Sequence, residues 1–182
     1  MIKRIWLKYF LPNDAELPKF ERIIQSWDTA IKSSAQSDFS VGLTFGIAQN
    51  NVYLLDVVRA QMEYPDLRRA VIMAAEKWNA NLILIEDKAS GQSLLQDLWR
   101  ETKLSARAIL PKNDKLTRMS AVSPIIESGR LHLDRRADWL RDFEAELLSF
   151  PNAKNDDQVD ALSQFLQWFK DGNNGGISMR KI

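Results

Sequence analysis

Acidic residues stand at three points where a predicted strand ends or a predicted helix begins. Asp28 closes the first strand, in "IIQSWDTA", and Glu86 and Asp87 close the apolar run in "LILIED". In "NDDQVDAL", Asp157 and Asp160 lie three residues apart, a spacing that places both carboxylates on one face of a helix. Capping and the helix dipole explain acids in a first helical turn, but they explain Asp160 poorly. Either a cation lies between these carboxylates or their face is open to water.

The energetics of clustered carboxylates favour a cation. Two like charges about 4 Å apart repel by roughly 4 kcal/mol at an effective dielectric near 20. If the first and fourth predicted strands are parallel neighbours, Asp28 and Glu86 meet at the sheet edge where α/β folds bind ligands. Ligands that are all oxygen suit Mg²⁺ or Mn²⁺, and two such ions can hydrolyse a phosphodiester without histidine or cysteine. Asp156, beside Asp157, is better explained by capping.

The composition excludes several other kinds of chemistry. The 182 residues include no cysteine and one histidine, which rules out thiolate nucleophiles, cysteine-ligated zinc and multi-histidine metal sites. We assign no catalytic role to His132. Lys+Arg 25 against Asp+Glu 24 gives a net charge of +1, so any basic surface is local. Without a signal peptide or an apolar run of about 20 residues, we expect a cytoplasmic protein.

The order of predicted elements indicates one mixed α/β domain. Residues 1–20 are predicted to be a lead-in or linker, residues 21–170 the folded domain, and residues 171–182 a flexible tail. Three successive strands, with a hairpin turn near Asn50, precede a helix, a strand, a second helix and a fifth strand, "ARAIL". Helices follow, the last of which begins at "NDDQVDAL". This order is mixed rather than strictly alternating.

Basic residues follow the fourth and fifth predicted strands, close to the acidic edge. They are Lys88, Lys112, Lys115 and Arg118. We predict that they contact nucleic-acid phosphates, which would make binding sequence-tolerant and sensitive to salt. The alternative is a solvated, charged loop.

Five segments, taken together, resemble the nuclease domain of phage terminase large subunits, within the ribonuclease H-like superfamily. Each segment alone is weakly specific, but they occur in one order from about residue 23 to residue 165. The segments are "IIQSWDTA", "LILIEDKASGQSLLQDL", "PKNDKLTRMSAVSPIIESGRLHL", "WLRDFEAELLSFP" and "NDDQVDAL".

The resemblance implies a fold and an activity. The fold would be a ribonuclease H-like mixed β-sheet of about five strands, the first three antiparallel, flanked by helices. The activity would be that of an endonuclease that uses two Mg²⁺ or Mn²⁺ ions to cleave double-stranded DNA during phage genome packaging. Asp28 would bridge the ions, Glu86 and Asp160 would hold one each, and Asp157 would assist. The implied partners are double-stranded DNA, a terminase ATPase domain, the small subunit and the portal protein.

The sequence departs from that family in two respects. Asn155 stands where many relatives have a histidine before the paired aspartates, and none of the seven glycines forms a GxxxxGK[ST] phosphate loop. We therefore expect an excised domain, a split or truncated prophage gene, or one component of a complex. The alternatives are another ribonuclease H-like nuclease, such as a junction resolvase or RNA-strand hydrolase, and a non-catalytic prophage-remnant interaction domain.

Overall fold

One seven-stranded mixed sheet lies between two layers of helices. The computed structural model describes residues 1–15, 17–30 and 39–174. Apolar residues of the strands cover both faces of the sheet, as a three-layer α/β fold requires. The strands are β1 (Lys8–Phe10), β2 (Arg22–Asp28), β3 (Ser40–Ala48), β4 (Asn51–Ala60), β5 (Leu82–Glu86), β6 (Ala106–Ile109) and β7 (Leu131–Asp134).

The spatial order of the strands is β1-β7-β4-β3-β2-β5-β6. β2, β3 and β4 pair antiparallel in sequence order, and β5 then adds to the other side of β2 in parallel. In that pair Trp27 is opposite Ile85, so the two strands end side by side. β6 extends the sheet parallel to β5, and β7 lies parallel to both β4 and β1.

Two sets of helices cover the two faces of the sheet. The helices α1 (Tyr64–Trp78) and α2 (Ala89–Glu101) lie on one face, and α3 (Lys115–Glu127), α4 (Leu140–Ser149) and α5 (Asp157–Asn174) lie on the other. A short 3₁₀ helix spans Arg4–Trp6. Within the described residues, no helix is both long and apolar enough to cross a bilayer.

The face that carries α5 contains the larger hydrophobic core. Phe165 of α5 stacks on Phe45 of β3 with ring centroids 3.9 Å apart, and both side chains are fully buried. The opposite core is centred on Trp27, which packs among apolar residues of α1 and α2. α5 is therefore fixed across the middle of the sheet, over β2 and β3.

The hairpin between β3 and β4 has the backbone that a two-residue turn demands. Gln49 and Asn50 both have positive φ angles, 49° and 65°. Two successive left-handed residues form the type I′ turn that suits the twist of paired strands, and asparagine tolerates this conformation better than most residues. The hairpin predicted near Asn50 is thus confirmed.

The fold class is confirmed, but the sheet has seven strands rather than about five. The two missed strands, β1 and β7, are three and four residues long. β1 belongs to the segment predicted to be a lead-in, which also contributes the buried side chains of Ile2 and Leu7. At the other end, α5 continues through residues 171–174, and residues 175–182 lie outside the described part of the chain.

A glycine on β3 makes room for the largest side chain of the smaller core. A Cβ on Gly42 would lie 2.4 Å from ring atoms of Trp27, whereas a Cβ on Gly172, in α5, would meet nothing within 4 Å. We expect Gly42→Ala to destabilise the protein by about 1–3 kcal/mol, because the buried ring has nowhere to move. Gly172→Ala should be neutral or slightly stabilising. Denaturant unfolding measures both, and equal stability of the two variants would contradict this account of the packing.

Candidate active site

The parallel pairing of β2 with β5 brings Asp28 and Glu86 to one edge of the sheet. Side chains alternate between the two faces of a strand, so Asp28 shares its face with Ile24 and Ser26, which lie under α5. Glu86 likewise follows Leu84 on the α5 face. Asp28 is only 6% exposed. Two carboxylates from distant parts of the chain therefore lie beside each other below the same helix.

Hydrogen bonds fix α5 over β2 and thereby position Asp160. The Ser26 hydroxyl donates to the carbonyl of Ala161 over 2.8 Å, in the turn that carries Asp160. The side-chain amide of Gln164 donates to the Ser26 hydroxyl over 2.9 Å and to the carbonyl of Trp27 over 3.3 Å. Asp160, 7% exposed, lines the same cavity as Asp28 and Glu86. The sheet and the helix thus bring three carboxylates to one place.

A buried glutamate from α4 caps the first turn of α5. One carboxylate oxygen of Glu146 accepts the backbone N–H of Gln158 over 2.7 Å and that of Val159 over 3.2 Å. The other oxygen accepts the side-chain amide of Gln158 over 2.6 Å. Burial raises the pKa of Glu146, and these hydrogen bonds oppose that rise. Because the first N–H groups of a helix lack partners within the helix, this contact determines where α5 begins.

Lys88 lies between the two strand-end acids. Its ammonium contacts Asp28 directly and Glu86 at 2.7 Å. Burial, opposed by Lys88 and reinforced by Glu86, raises the pKa of Asp28 to about 7. Burial would also raise the pKa of Glu86, but the hydrogen bond and charge of Lys88 outweigh it and lower that pKa. Lys88 therefore offsets the repulsion between these two carboxylates.

Two further cations connect the strand-end acids to α5. Arg118 of α3 lies 2.7 Å from Asp160 and 3.9 Å from Glu86. Lys115, one turn earlier, contacts Asp160 at 2.6 Å and Asp156 at 2.7 Å. Burial would lower the pKa of Lys115, but its hydrogen bonds to the two aspartates raise it. Acids and cations alternate across the site.

The donor set suits a hard divalent cation. Asp28, Glu86 and Asp160 supply only carboxylate oxygens, the ligands that Mg²⁺ and Mn²⁺ prefer. As the described side chains stand, no three acids or histidines form a complete set of metal ligands, and Lys88 and Arg118 contact the carboxylates instead. An ion would have to replace contacts that Lys88 and Arg118 now make.

The remaining predicted residues lie in or near this region. Asp157 lines a second, smaller cavity that also contains Asp28, Glu86, Asp160, Lys88 and Lys115. Lys112 is exposed and lines the larger cavity. Asp87 points away from these acids and accepts a hydrogen bond from Gln92 over 2.9 Å.

His132 lies outside the site, where its ring stacks on Tyr53 with centroids 4.6 Å apart. Burial, with the nearby charge of Lys8, lowers its pKa. The only histidine is therefore a packed residue of β7.

Three residues that position the acids were not predicted from the sequence. Ser26 and Gln164 fasten α5 to β2, and Glu146 caps α5. Ser26 precedes Asp28 by two positions in a strand, and this spacing alone places it on the same face of the sheet. Nothing in the sequence pairs Gln164 or Glu146 with its partner, since these contacts depend on how the helices pack.

Solved structures with this fold include nuclease domains of large terminases. The large terminase nuclease of thermophilic phage G20c, with bound magnesium, aligns with a TM-score of 0.67 at 13% identity, over 90% of this chain and 93% of that one. The P22 large terminase nuclease domain aligns with a TM-score of 0.63 at 14% identity, over 88% of this chain and 86% of that one. The large terminase of a second thermophilic bacteriophage gives 0.65 at 15% identity, but the alignment spans only 41% of its length. At these identities, the TM-scores show that the chain shares the fold of these domains.

A match to a protein-family model assigns the chain to a family as well as to a fold. The model described as the terminase RNaseH-like domain matches residues 25–168, most of the chain and every element that supplies an acid. The protein belongs to this terminase RNaseH-like family, as the five sequence segments predicted. None of the curated protein sequences matches the chain.

Removal of the cap on α5 should destabilise the site. Glu146→Ala leaves the buried N–H groups of Gln158 and Val159 without their acceptor, so we expect a loss of about 1–3 kcal/mol in unfolding free energy. Glu127→Ala, on the exposed surface of α3, is the matched control and should change stability by less than about 0.5 kcal/mol. Urea unfolding compares the two. A Glu146→Ala variant as stable as the control would show that the cap contributes nothing.

Proposed function

We propose that this protein is a metal-dependent endonuclease that cleaves double-stranded DNA during phage genome packaging. The observation that supports this most directly is the meeting of Asp28, Glu86 and Asp160, from three separate elements, in one cavity of a terminase RNaseH-like domain. Carboxylates gathered and buried at the cost of mutual repulsion are typical of catalytic sites. The fold alone would not justify this conclusion, since one fold supports many functions.

The four acids have different parts in this proposal. Asp28, Glu86 and Asp160 would hold two Mg²⁺ or Mn²⁺ ions, and Asp157, at the start of α5, would assist. Bound ions would activate a water and stabilise the leaving 3′ oxygen of the phosphodiester. The protein holds these carboxylates in fixed orientations in a partly buried site. The burial limits the access of bulk water. Hydrogen bonds made by Glu146, Ser26 and Gln164 hold α5, and with it Asp160, in position.

Related structures support divalent ions at such a site. The G20c nuclease is known with bound magnesium and with bound zinc, and the human cytomegalovirus terminase nuclease domain was soaked with manganese. The cytomegalovirus domain aligns with a TM-score of 0.63 at 10% identity, over 93% of this chain. Because this site contains only oxygen donors, we favour magnesium or manganese over zinc for this protein.

The proposed partners follow from the family and not from a surface of this chain. They are a terminase ATPase domain, the small subunit, the portal protein and the DNA itself, in the cytoplasm of the bacterial host. The chain aligns with about two fifths of the second thermophilic phage's large terminase, so translocation of DNA would require parts that this sequence does not include.

Cleavage assays on plasmid DNA test the proposed activity. We expect nicking and linearisation in Mg²⁺ or Mn²⁺ and none in EDTA, with a loss on the order of a hundredfold or more in Asp28→Ala and Asp160→Ala. Glu76→Ala, an exposed acid near the end of α1, is the control and should retain full activity. Circular dichroism checks that each variant folds. Metal-dependent cleavage that persists in both aspartate variants would refute the assignment of the site.

The salt dependence of DNA binding tests the predicted phosphate contacts. Lys115, Arg118 and Lys88 contact acids, whereas Lys112 is exposed at the rim of the larger cavity. We expect Lys112→Ala to reduce the slope of log K against log[salt] by about one, the value for one lost phosphate contact. Lys103→Ala, at an exposed residue that precedes β6 and lines neither of the two cavities that contain the acids, should leave the slope unchanged. An unchanged slope in both variants would remove Lys112 from the binding surface.

A further inference from the structure

The acids lie at the junction of two cavities. The larger, about 580 Å³, runs between α5 and residues 108–113, which end β6 and lead to α3; we call it the α5 groove. The smaller, about 290 Å³, is lined by residues that include Lys88, Lys115 and Asp157. Both are lined by Asp28, Glu86, Asn113, Arg118 and Asp160. A nucleic-acid strand that passes the acids would therefore lie in one cavity before them and in the other cavity after them.

The two cavities differ in chemistry. One wall of the α5 groove consists of Ile109, Leu110 and Pro111, and the half-buried ring of Trp168 lines it from α5. Basic residues line both cavities: Lys112 and Lys170 line the α5 groove, Lys88 and Lys115 line the smaller cavity, and Arg118 lines both. Apolar walls suit bases and sugars, whereas ammonium groups suit phosphates. In the smaller cavity Lys88 and Lys115 contact acids, so the α5 groove, with its apolar wall, is the cavity suited to unpaired bases.

Contacts with neighbouring residues hold the α5 side of the groove in place. The guanidinium of Arg22 lies 5.2 Å from the ring centroid of Trp168, and the ring of Phe165 packs 6.0 Å away on the same helix. At the far end, the Lys170 ammonium donates to the carbonyl of Ala121 over 3.0 Å, which joins α5 to α3. A ring held in this way offers a preformed apolar surface, and little ordering is needed when a ligand binds.

The size of the α5 groove limits what can enter it. From Asp160 to Asp171 along α5 is about 16 Å at 1.5 Å per residue. A cavity of about 580 Å³ is of the size that holds one small molecule, so it has room for a few nucleotides of one strand and none for a paired duplex.

We propose that the α5 groove binds two or three unpaired nucleotides of the strand that is cut, next to the scissile phosphate. This inference rests on the proposed function and narrows its substrate to DNA whose strands are separated at the cleavage point. Bases and sugars contact Leu110 and Trp168, and the backbone passes Lys112 at the rim. The α5 groove thus selects an opened duplex over a closed one.

A comparison of two exposed leucines tests this proposal without requiring cleavage. Leu110 is 66% exposed and lines the α5 groove, whereas Leu116 is 47% exposed and lines neither cavity, so neither substitution threatens the fold. Fluorescence anisotropy in EDTA would measure binding of a fluorescein-labelled single strand, its fully paired duplex, and the same duplex with a central mismatched bubble. We expect Leu110→Ser to weaken binding of the single strand and the bubble by about three- to tenfold. It should leave duplex binding within about twofold, and Leu116→Ser should change none of the three.

A pair of tryptophans provides a second, independent arm. Trp168→Ala should weaken binding of the single strand by about fivefold or more, the effect of one lost base contact. Trp99→Ala, on the exposed surface of α2, should not. The proposal would be overturned if Leu110→Ser weakened binding of the single strand and the duplex equally. It would also be overturned if neither Leu110→Ser nor Trp168→Ala weakened binding of the single strand. Because binding is measured without metal, that failure is distinct from a failure of the nuclease assignment, which only the cleavage assay decides.

Discussion

The candidate site depends on the parallel pairing of β2 with β5. This pairing places Asp28 and Glu86 at the ends of adjacent strands, where two ionised carboxylates repel each other. Lys88 lies between them and offsets that repulsion, yet burial still raises the pKa of Asp28 to about 7. The hydrophobic effect, through the strands' apolar residues, imposes an arrangement that electrostatics alone would oppose.

The third acid is positioned by neutral hydrogen bonds and by a cap. Ser26 and Gln164 connect α5 to β2, and Glu146 accepts the N–H groups that begin α5. These contacts are short-range and directional, so they fix the helix along its axis, which stacking of Phe165 on Phe45 alone would not do.

Local signals in the sequence indicate the acids but do not show how they meet. Strand ends and helical spacing single out Asp28, Glu86 and Asp160, and alternation along β5 explains why Glu86 rather than Asp87 faces α5. Whether β2 and β5 are neighbours is a property of the sheet, and only the family resemblance indicated it. β1 and β7 were missed because strands of three and four residues have too few positions to show a period.

The four basic residues predicted to bind phosphates show the same limit. Sequence position places Lys88, Lys112, Lys115 and Arg118 near the acidic edge, and the structure agrees. Sequence position cannot show that three of them contact acids, because most of these pairs join residues far apart in the chain. A cation that neutralises a carboxylate is not at the same time available to a phosphate. Lys112 forms no ion pair within the described residues, and it is therefore the one of the four that we propose to contact DNA phosphates.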